Sequence, residues 1–236
     1  MSIFAFCIAS LMSAQSSDVK WVNIETAPIE VNGLPWFHEN GGDLFRFPNK
    51  WKDNLPPAVW NLSKSPSGGR IRFRSDALRL ALKLEYPGPP NMVNMHAFGQ
   101  TGVDVYLDGI IWKTVVADKA SAPGKVFEHV ILDWKDKPRR EHEVTIYLPL
   151  YKGVKVAGIG VDTGAKLTKP AKFAVDKPVV YYGTSITQGG CASRSGMAYP
   201  AIAGRMLNVD FVNLGFSGNG KGEAEVARAV AAIDAS

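Results

Sequence analysis

Pro178-Val179-Val180-Tyr181-Tyr182-Gly183-Thr184-Ser185-Ile186-Thr187-Gln188-Gly189-Gly190 is the stretch on which the fold turns. It opens with a short continuous apolar run, the pattern of a strand buried on both faces of a parallel sheet. A turn rich in Gly, Ser and Thr follows at once. Further on, Tyr199 to Leu207 reads as a helix with Ile202, Met206 and Leu207 on one side. Val209 to Leu214 reads as a second buried strand, Gly215 to Gly222 as a loop, and Glu223 to Ile233 as a helix rich in Ala, Val and Glu. Strand, helix, strand, helix is the opening of a parallel α/β sheet. Two strands do not complete such a sheet, because parallel strands need both faces covered. The expectation is of a sequence truncated where the next strand is due.

Upstream the period changes. From about Trp21 to Asp162, apolar and polar residues alternate: Ile71 and Phe73 against Arg70, Arg72 and Arg74, then Leu78, Leu80, Leu82 and Leu84 against Arg79, Ala81, Lys83 and Glu85. Val103, Val105 and Leu107 keep the same period, as do Val144, Ile146, Leu148 and Leu150. Period two places one set of side chains on one sheet face. Asp108-Gly109 lies between Val105-Tyr106-Leu107 and Ile110-Ile111-Trp112, a two-residue hairpin signal because Gly tolerates positive φ. Many short strands, Pro/Gly turns and no convincing helix predict a β-sandwich of jelly-roll kind. Arg70, Arg72 and Arg74 are expected on its wet face. Between Thr163 and Lys177 a Lys-rich stretch with weak periodicity, bracketed by Gly164, Pro170 and Pro178, marks a boundary. The expected organisation is a leader over residues 1–17, a sandwich domain over 18–170, and the first part of an α/β unit over 171–236.

The bulk numbers agree with a folded chain. Of the 236 residues 46% are hydrophobic and 21% charged, enough to bury a core. The net charge of +5, from 27 basic and 22 acidic residues, is scattered, so a nucleic-acid partner is not indicated. Met1 to Ala14 is mostly apolar, too short to span a bilayer, and followed by Ser13-Ala14-Gln15-Ser16-Ser17, as in a signal peptide. No Lys or Arg precedes it, and a buried N-terminal segment is the alternative. Export to the periplasm or medium is expected, with no later segment apolar enough to cross a membrane. Removal of such a leader takes Cys7 with it and leaves Cys191, which has no partner for an internal disulfide.

A serine at the C-terminal end of a central parallel strand sits where α/β folds place ligands. Gly183 lets the chain turn sharply, so the Ser185 hydroxyl can face the crevice. Gly-x-Ser alone is equally an ordinary polar loop. The second loop adds weight: Asn213-Leu214-Gly215-Phe216-Ser217-Gly218-Asn219-Gly220 follows the second strand at the same sheet end. Gly218 has no side chain, so its N–H can approach a developing oxyanion. A plain glycine-rich connection or a phosphate cradle is the alternative, but the spacing does not fit the dinucleotide fingerprint and no P-loop Lys-Ser pair follows.

Taken together, Gly183-Thr184-Ser185-Ile186-Thr187-Gln188-Gly189 and Asn213 to Gly220 resemble the first and second blocks of the SGNH/GDSL hydrolases, with Thr184 where the family name has Asp. Gly102-Val103-Asp104-Val105-Tyr106 is similar to the Gly-x-Asp-Leu-Tyr motif of the domain that precedes certain SGNH esterases, with Val105 for Leu. The resemblance implies a three-layer α/β/α, flavodoxin-like hydrolase domain behind the sandwich. It implies acyl transfer without a cofactor or metal, on a small ester or an acylated carbohydrate. Ser185 would be the nucleophile, and the N–H groups of Ser185 and Gly218 would hold the oxyanion. The family's Gly-x-Asn-Asp stretch and its C-terminal Asp-x-x-His do not occur in these residues.

All four histidines, His38, His96, His129 and His142, precede Ser185, whereas the family's base follows its nucleophile. None is expected to be the base, and their scatter gives no metal-ligand spacing. Asn219 is not assigned the family asparagine's role. The competing reading is a non-catalytic carbohydrate-binding protein, in which Trp36, Trp51, Trp60, Trp112 and Trp134 supply sugar platforms rather than packing.

Overall fold

The computed structural model describes residues 19–235. The leader expected over 1–17, and Cys7 within it, lie outside the described residues.

The first half is sheet-rich. Its elements are β1 (Val19–Val22), β2 (Glu30–Asn32), α1 (Pro57–Ser63), β3 (Arg70–Ser75), β4 (Arg79–Glu85), α2 (Ala97–Gln100), β5 (Val103–Leu107), β6 (Ile110–Val115), β7 (Val126–Asp133), β8 (His142–Tyr147), β9 (Lys155–Asp162) and β10 (Leu167–Thr168). One antiparallel sheet runs β1-β9-β4-β7, and a second runs β10-β3-β8-β5-β6 with β2 also on β3. The alternating apolar residues of both meet in one core: Ile71 and Phe73, Leu80, Leu82 and Leu84, Val103 and Val105, Ile146 and Ile159 are all buried together. The β5–β6 connection turns at Asp108 and Gly109, whose φ values of 50° and 79° are those of the tight hairpin their sequence predicts.

Two expectations for this half need correction. A helix does form there: α1 starts at Pro57, where a missing N–H costs nothing, and buries Val59 and Trp60. The arginine face of β3 is not wet. Arg70 and Arg72 are 2% and 6% exposed. Arg70 donates to the Gly68 carbonyl at 2.6 Å, pairs with Asp210, and lies 3.8 Å over the Phe211 ring. Arg72 donates to the Ala171 carbonyl at 2.6 Å, and Arg74 to the Lys169 carbonyl at 2.7 Å. Successive arginines of one strand thus hold the chain at 169, 171 and 210. Period two identifies the face but not what covers it, and here the second half of the chain covers it.

That second half comprises β11 (Val179–Gly183), α3 (Ser185–Gln188), α4 (Tyr199–Leu207), β12 (Phe211–Gly215) and α5 (Ala224–Ala231). β11 and β12 are parallel, paired Val179 with Phe211 through Gly183 with Gly215. β12 is buried throughout, whereas β11 is half-buried, with Tyr182 exposed. On one side Tyr181 and Phe211 pack with Ala201 of α4 and with Tyr106 and Tyr147 of the second sheet. On the other, Val212, Leu214 and Phe216 share a core with Val226 and Ala229 of α5 and with Phe47, Leu55, Val59 and Trp60 from the front of the chain. No helix among the described residues is long and apolar enough to cross a membrane.

Candidate active site

Ser185 and Gly218 stand on loops that leave adjacent strand ends. Gly183 and Gly215 are register partners, and the Phe216 N–H donates to the Gly183 carbonyl at 2.9 Å. The next residues of the second loop lie against the first: a Cβ on Gly220 would come within 2.9 Å of Thr184 Cγ2. Gly183 and Gly215 are required by this approach, since a Cβ on either would run into Thr187. Ser185 opens α3 and is half-buried, and Gly218 is exposed with φ of 69°. Among the described residues, neither main-chain N–H is taken by a hydrogen bond, and no side chain bonds the Ser185 hydroxyl.

Several side chains lock the two loops together. Gln188 is fully buried; its Nε2 donates to the Leu150 carbonyl at 3.0 Å and its Oε1 accepts the Ser217 N–H at 2.9 Å. Asn213, also buried, donates to the Thr187 carbonyl at 2.7 Å and to Ser67 Oγ at 3.2 Å, and accepts the Gly215 N–H at 2.9 Å. Ser67 Oγ in turn donates to the Gln188 carbonyl at 2.6 Å. The Tyr151 hydroxyl donates to the Ser185 carbonyl at 3.3 Å; burial raises its pKa, opposed by a hydrogen bond with Ser217 and by Arg46. Tyr151 also lines a cleft of about 660 Å³ edged by Glu25, Asp43, Lys64, Glu85 and Lys152.

The Gly102–Tyr106 motif has a mechanical role that the sequence alone does not show. Asp104 is fully buried in β5, accepts the Gly196 N–H at 2.8 Å and the Thr114 hydroxyl at 2.7 Å, and faces Arg194 Nε at 3.4 Å. Ser195 Oγ donates to the Gly102 carbonyl at 2.6 Å, and Arg194 donates to the Tyr106 hydroxyl at 3.3 Å. The motif therefore seats residues 194–196, which follow the Ser185 turn.

The histidines are elsewhere engaged. His96 is exposed and its Nδ1 accepts the Phe98 N–H at 3.3 Å, capping α2. His142 pairs with Asp108 at 2.7 Å, His129 is half-buried in β7 with its pKa lowered by burial, and His38 packs edge-on to Phe37. Asn219 donates to the Ser217 carbonyl at 2.7 Å. Cys191 is a free, exposed thiol that donates to the Asn94 carbonyl at 3.3 Å. Of the tryptophans, Trp60 is buried, Trp36, Trp51 and Trp134 pack on the cores, and Trp112 is 46% exposed. Arg46, Gln188, Asn213 and Tyr151 were not read from the sequence as site residues; only their position in or near the quoted blocks, for Gln188 and Asn213, carried any signal.

A half-buried serine hydroxyl and an exposed glycine N–H on neighbouring ends of a parallel strand pair, docked on a sheet-rich front half, are the arrangement to be expected from the resemblance of the two loops to the SGNH/GDSL blocks. Comparison with known proteins points the same way. Residues 19–167 match the GxDLY family model, described as the N-terminus of SGNH-hydrolase-type esterases, and residues 176–236 match the GDSL-like lipase/acylhydrolase family. The chain belongs to the SGNH/GDSL-type esterase family with a GxDLY N-terminal region.

Among solved structures, a protein from Bacteroides ovatus described as a GDSL-like lipase is 32% identical with a TM-score of 0.78, over 92% of this chain and 62% of that one. The salicylyl-acyltransferase SsfX3 of a tetracycline biosynthetic pathway is 21% identical with a TM-score of 0.72, over 92% and 60%. A family two carbohydrate esterase from Cellvibrio japonicus is 11% identical with a TM-score of 0.55, over 85% and 53%, a likeness of fold alone. The chain thus spans about three fifths of the length of the first two. No curated protein matches it significantly.

Proposed function

We propose that these residues carry the nucleophile and two oxyanion donors of an exported ester hydrolase. In this reading residues 18–170 form a jelly-roll-like sandwich and 171–236 the first part of a three-layer α/β/α domain. The observation that carries it is the pairing of Gly183 with Gly215, which sets the Ser185 and Gly218 loops side by side. Ser185 Oγ attacks an ester carbonyl, its proton passing to a base. The carbonyl oxygen takes up the negative charge against the Ser185 and Gly218 N–H groups, and collapse expels the alcohol and leaves an acyl-serine. The substrate is a small ester or an acyl group on a carbohydrate, by analogy with the family.

The base is not among the chain's four histidines, none of which hydrogen-bonds Ser185. Loss of one member of such a triad costs on the order of a millionfold in rate. The chain as written therefore shows no turnover of p-nitrophenyl acetate. Imidazole supplied in solution takes the missing base's place. Incubation with the ester and imidazole then leaves an acetyl group on Ser185, seen by mass spectrometry of the digested protein and absent in Ser185→Ala. No acylation of Ser185 above that of other serines overturns the reading, and Ser185-dependent turnover without imidazole overturns the assignment of the base.

A further inference from the structure

We propose that Arg46 is a positioning residue for the oxyanion loop, fixing from the front of the chain the path by which β12 delivers Gly218. Alternate carbonyls of β12 face away from β11, and they are met by guanidinium groups rather than by another strand. Arg70 donates to Phe211 at 3.3 Å, and Arg46 to Asn213 at 3.2 Å and Gly215 at 2.5 Å. The second amino group of Arg46 donates to the Leu62 carbonyl at 2.8 Å, tying α1 to the same point.

Arg46 is 1% exposed, and no carboxylate pairs with it among the described residues. Burial lowers its pKa to about 9, which leaves it charged at neutral pH. A buried cation held by carbonyl dipoles and one aromatic ring, with no carboxylate, is a costly way to fill space, which an apolar side chain would fill more cheaply. What arginine adds is a planar fork able to reach three carbonyls at fixed angles, which lysine lacks.

The consequence runs down the chain. The Arg46 guanidinium lies 4.4 Å from the Phe216 ring centre, and Phe47 stacks on that ring at 5.2 Å within the same buried cluster. Ser217 is held by Gln188, and a Cβ at Gly218 would meet nothing. Gly218 is thus the first residue past the clamp, and its N–H direction is inherited from Asn213 to Ser217.

The inference rests on the hydrolase reading only in calling this loop an oxyanion loop; the clamp has its own test. Amide hydrogen exchange is measured in the full chain with Arg46→Lys and Arg46→Ala. The reporters are the Phe216, Ser217 and Asn219 amides, with the β4 and β9 amides as reference. The expected result for Arg46→Lys is exchange at the reporters faster by about tenfold or more, the loss of charge-assisted bonds, with the reference unchanged. In Arg46→Ala, methylguanidinium restores protection and methylammonium does not. Unchanged reporters in Arg46→Lys, or equal acceleration of reporters and reference, overturn the proposal. A Ser185 that is never acylated, with the exchange result as expected, sinks the hydrolase reading and leaves the clamp standing.

Discussion

The carboxylate of Asp104 accepts the main-chain N–H of Gly196 at 2.8 Å, joining β5 to a segment 92 residues further on. With the Thr114 hydroxyl donating to it and the Arg194 charge 3.4 Å away, this buried carboxylate is the pin by which the sheet-rich half holds the turn after Ser185. Asp104→Ala strands the Gly196 N–H and one side of Arg194. It should lower unfolding free energy by about 3 kcal/mol, and Asp104→Asn by about 1–2 kcal/mol, since an amide keeps an acceptor. Urea unfolding of both variants checks this; an unchanged midpoint for Asp104→Ala contradicts the pinning role.

Gly215 and Gly218 should respond differently to a methyl group. A Cβ on Gly215 meets the Thr187 main chain and the Gln188 nitrogen, backbone that cannot swing aside. Gly215→Ala should cost about 3 kcal/mol through overpacking. At Gly218 the space is open and only the left-handed φ of 69° opposes a side chain, so Gly218→Ala should cost about 1 kcal/mol. Thermal or urea unfolding of the pair gives the order.

Asn213 satisfies three partners at once: the Thr187 carbonyl, Ser67 Oγ and the Gly215 N–H. Asn213→Ala should destabilise by about 2–3 kcal/mol, because the buried Thr187 carbonyl and Gly215 N–H each lose a hydrogen bond. Asn213→Asp should be worse than Asn213→Ala at neutral pH, since a carboxylate would face the Thr187 carbonyl oxygen at the position of the present 2.7 Å bond. Equal stability of Asn213→Asp and wild type would show that the amide donor is not needed.

Asp162 should make stability depend on pH in the acid range. Burial alone would raise its carboxyl, but the Arg139 side chain and the N–H groups of Arg79 and Leu78 outweigh it and hold the pKa below the ordinary 3.8. The unfolded chain then binds the proton more readily. The stabilisation is full above the ordinary value and is lost as pH falls through the folded one. The gap in urea midpoint between wild type and Asp162→Asn should narrow between about pH 6 and about pH 2. A gap that stays constant or widens on acidification contradicts the assignment.

Much of the secondary structure was legible. The Asp108-Gly109 hairpin, the alternation of Leu80, Leu82 and Leu84, and the helix at Tyr199 follow from local backbone preference and burial period. Helix α1 was not legible, because its seven residues are too few to show a helical period and its start lies beside two prolines. The buried arginines were misread because Arg70 and Arg72 alternate as surface residues do, and only contact with Asp210, Phe211 and Ala171 reveals the cover. The candidate site shows the same division. Ser185 and Gly218 stand in quotable blocks, but Arg46 acts across 169 residues and leaves no local trace.

What the sequence determined by itself is the family and the succession of a strand-rich front and an α/β end, since both are written in short stretches whose periods and glycines act locally. What only the tertiary structure decided is how one half supports the other: Asp104 on Gly196, Ser67 on Gln188, Arg46 on Gly215. The reason is physical. A strand edge or a buried N–H accepts any partner of suitable polarity, so nothing in the residue itself names the distant side chain that will arrive there.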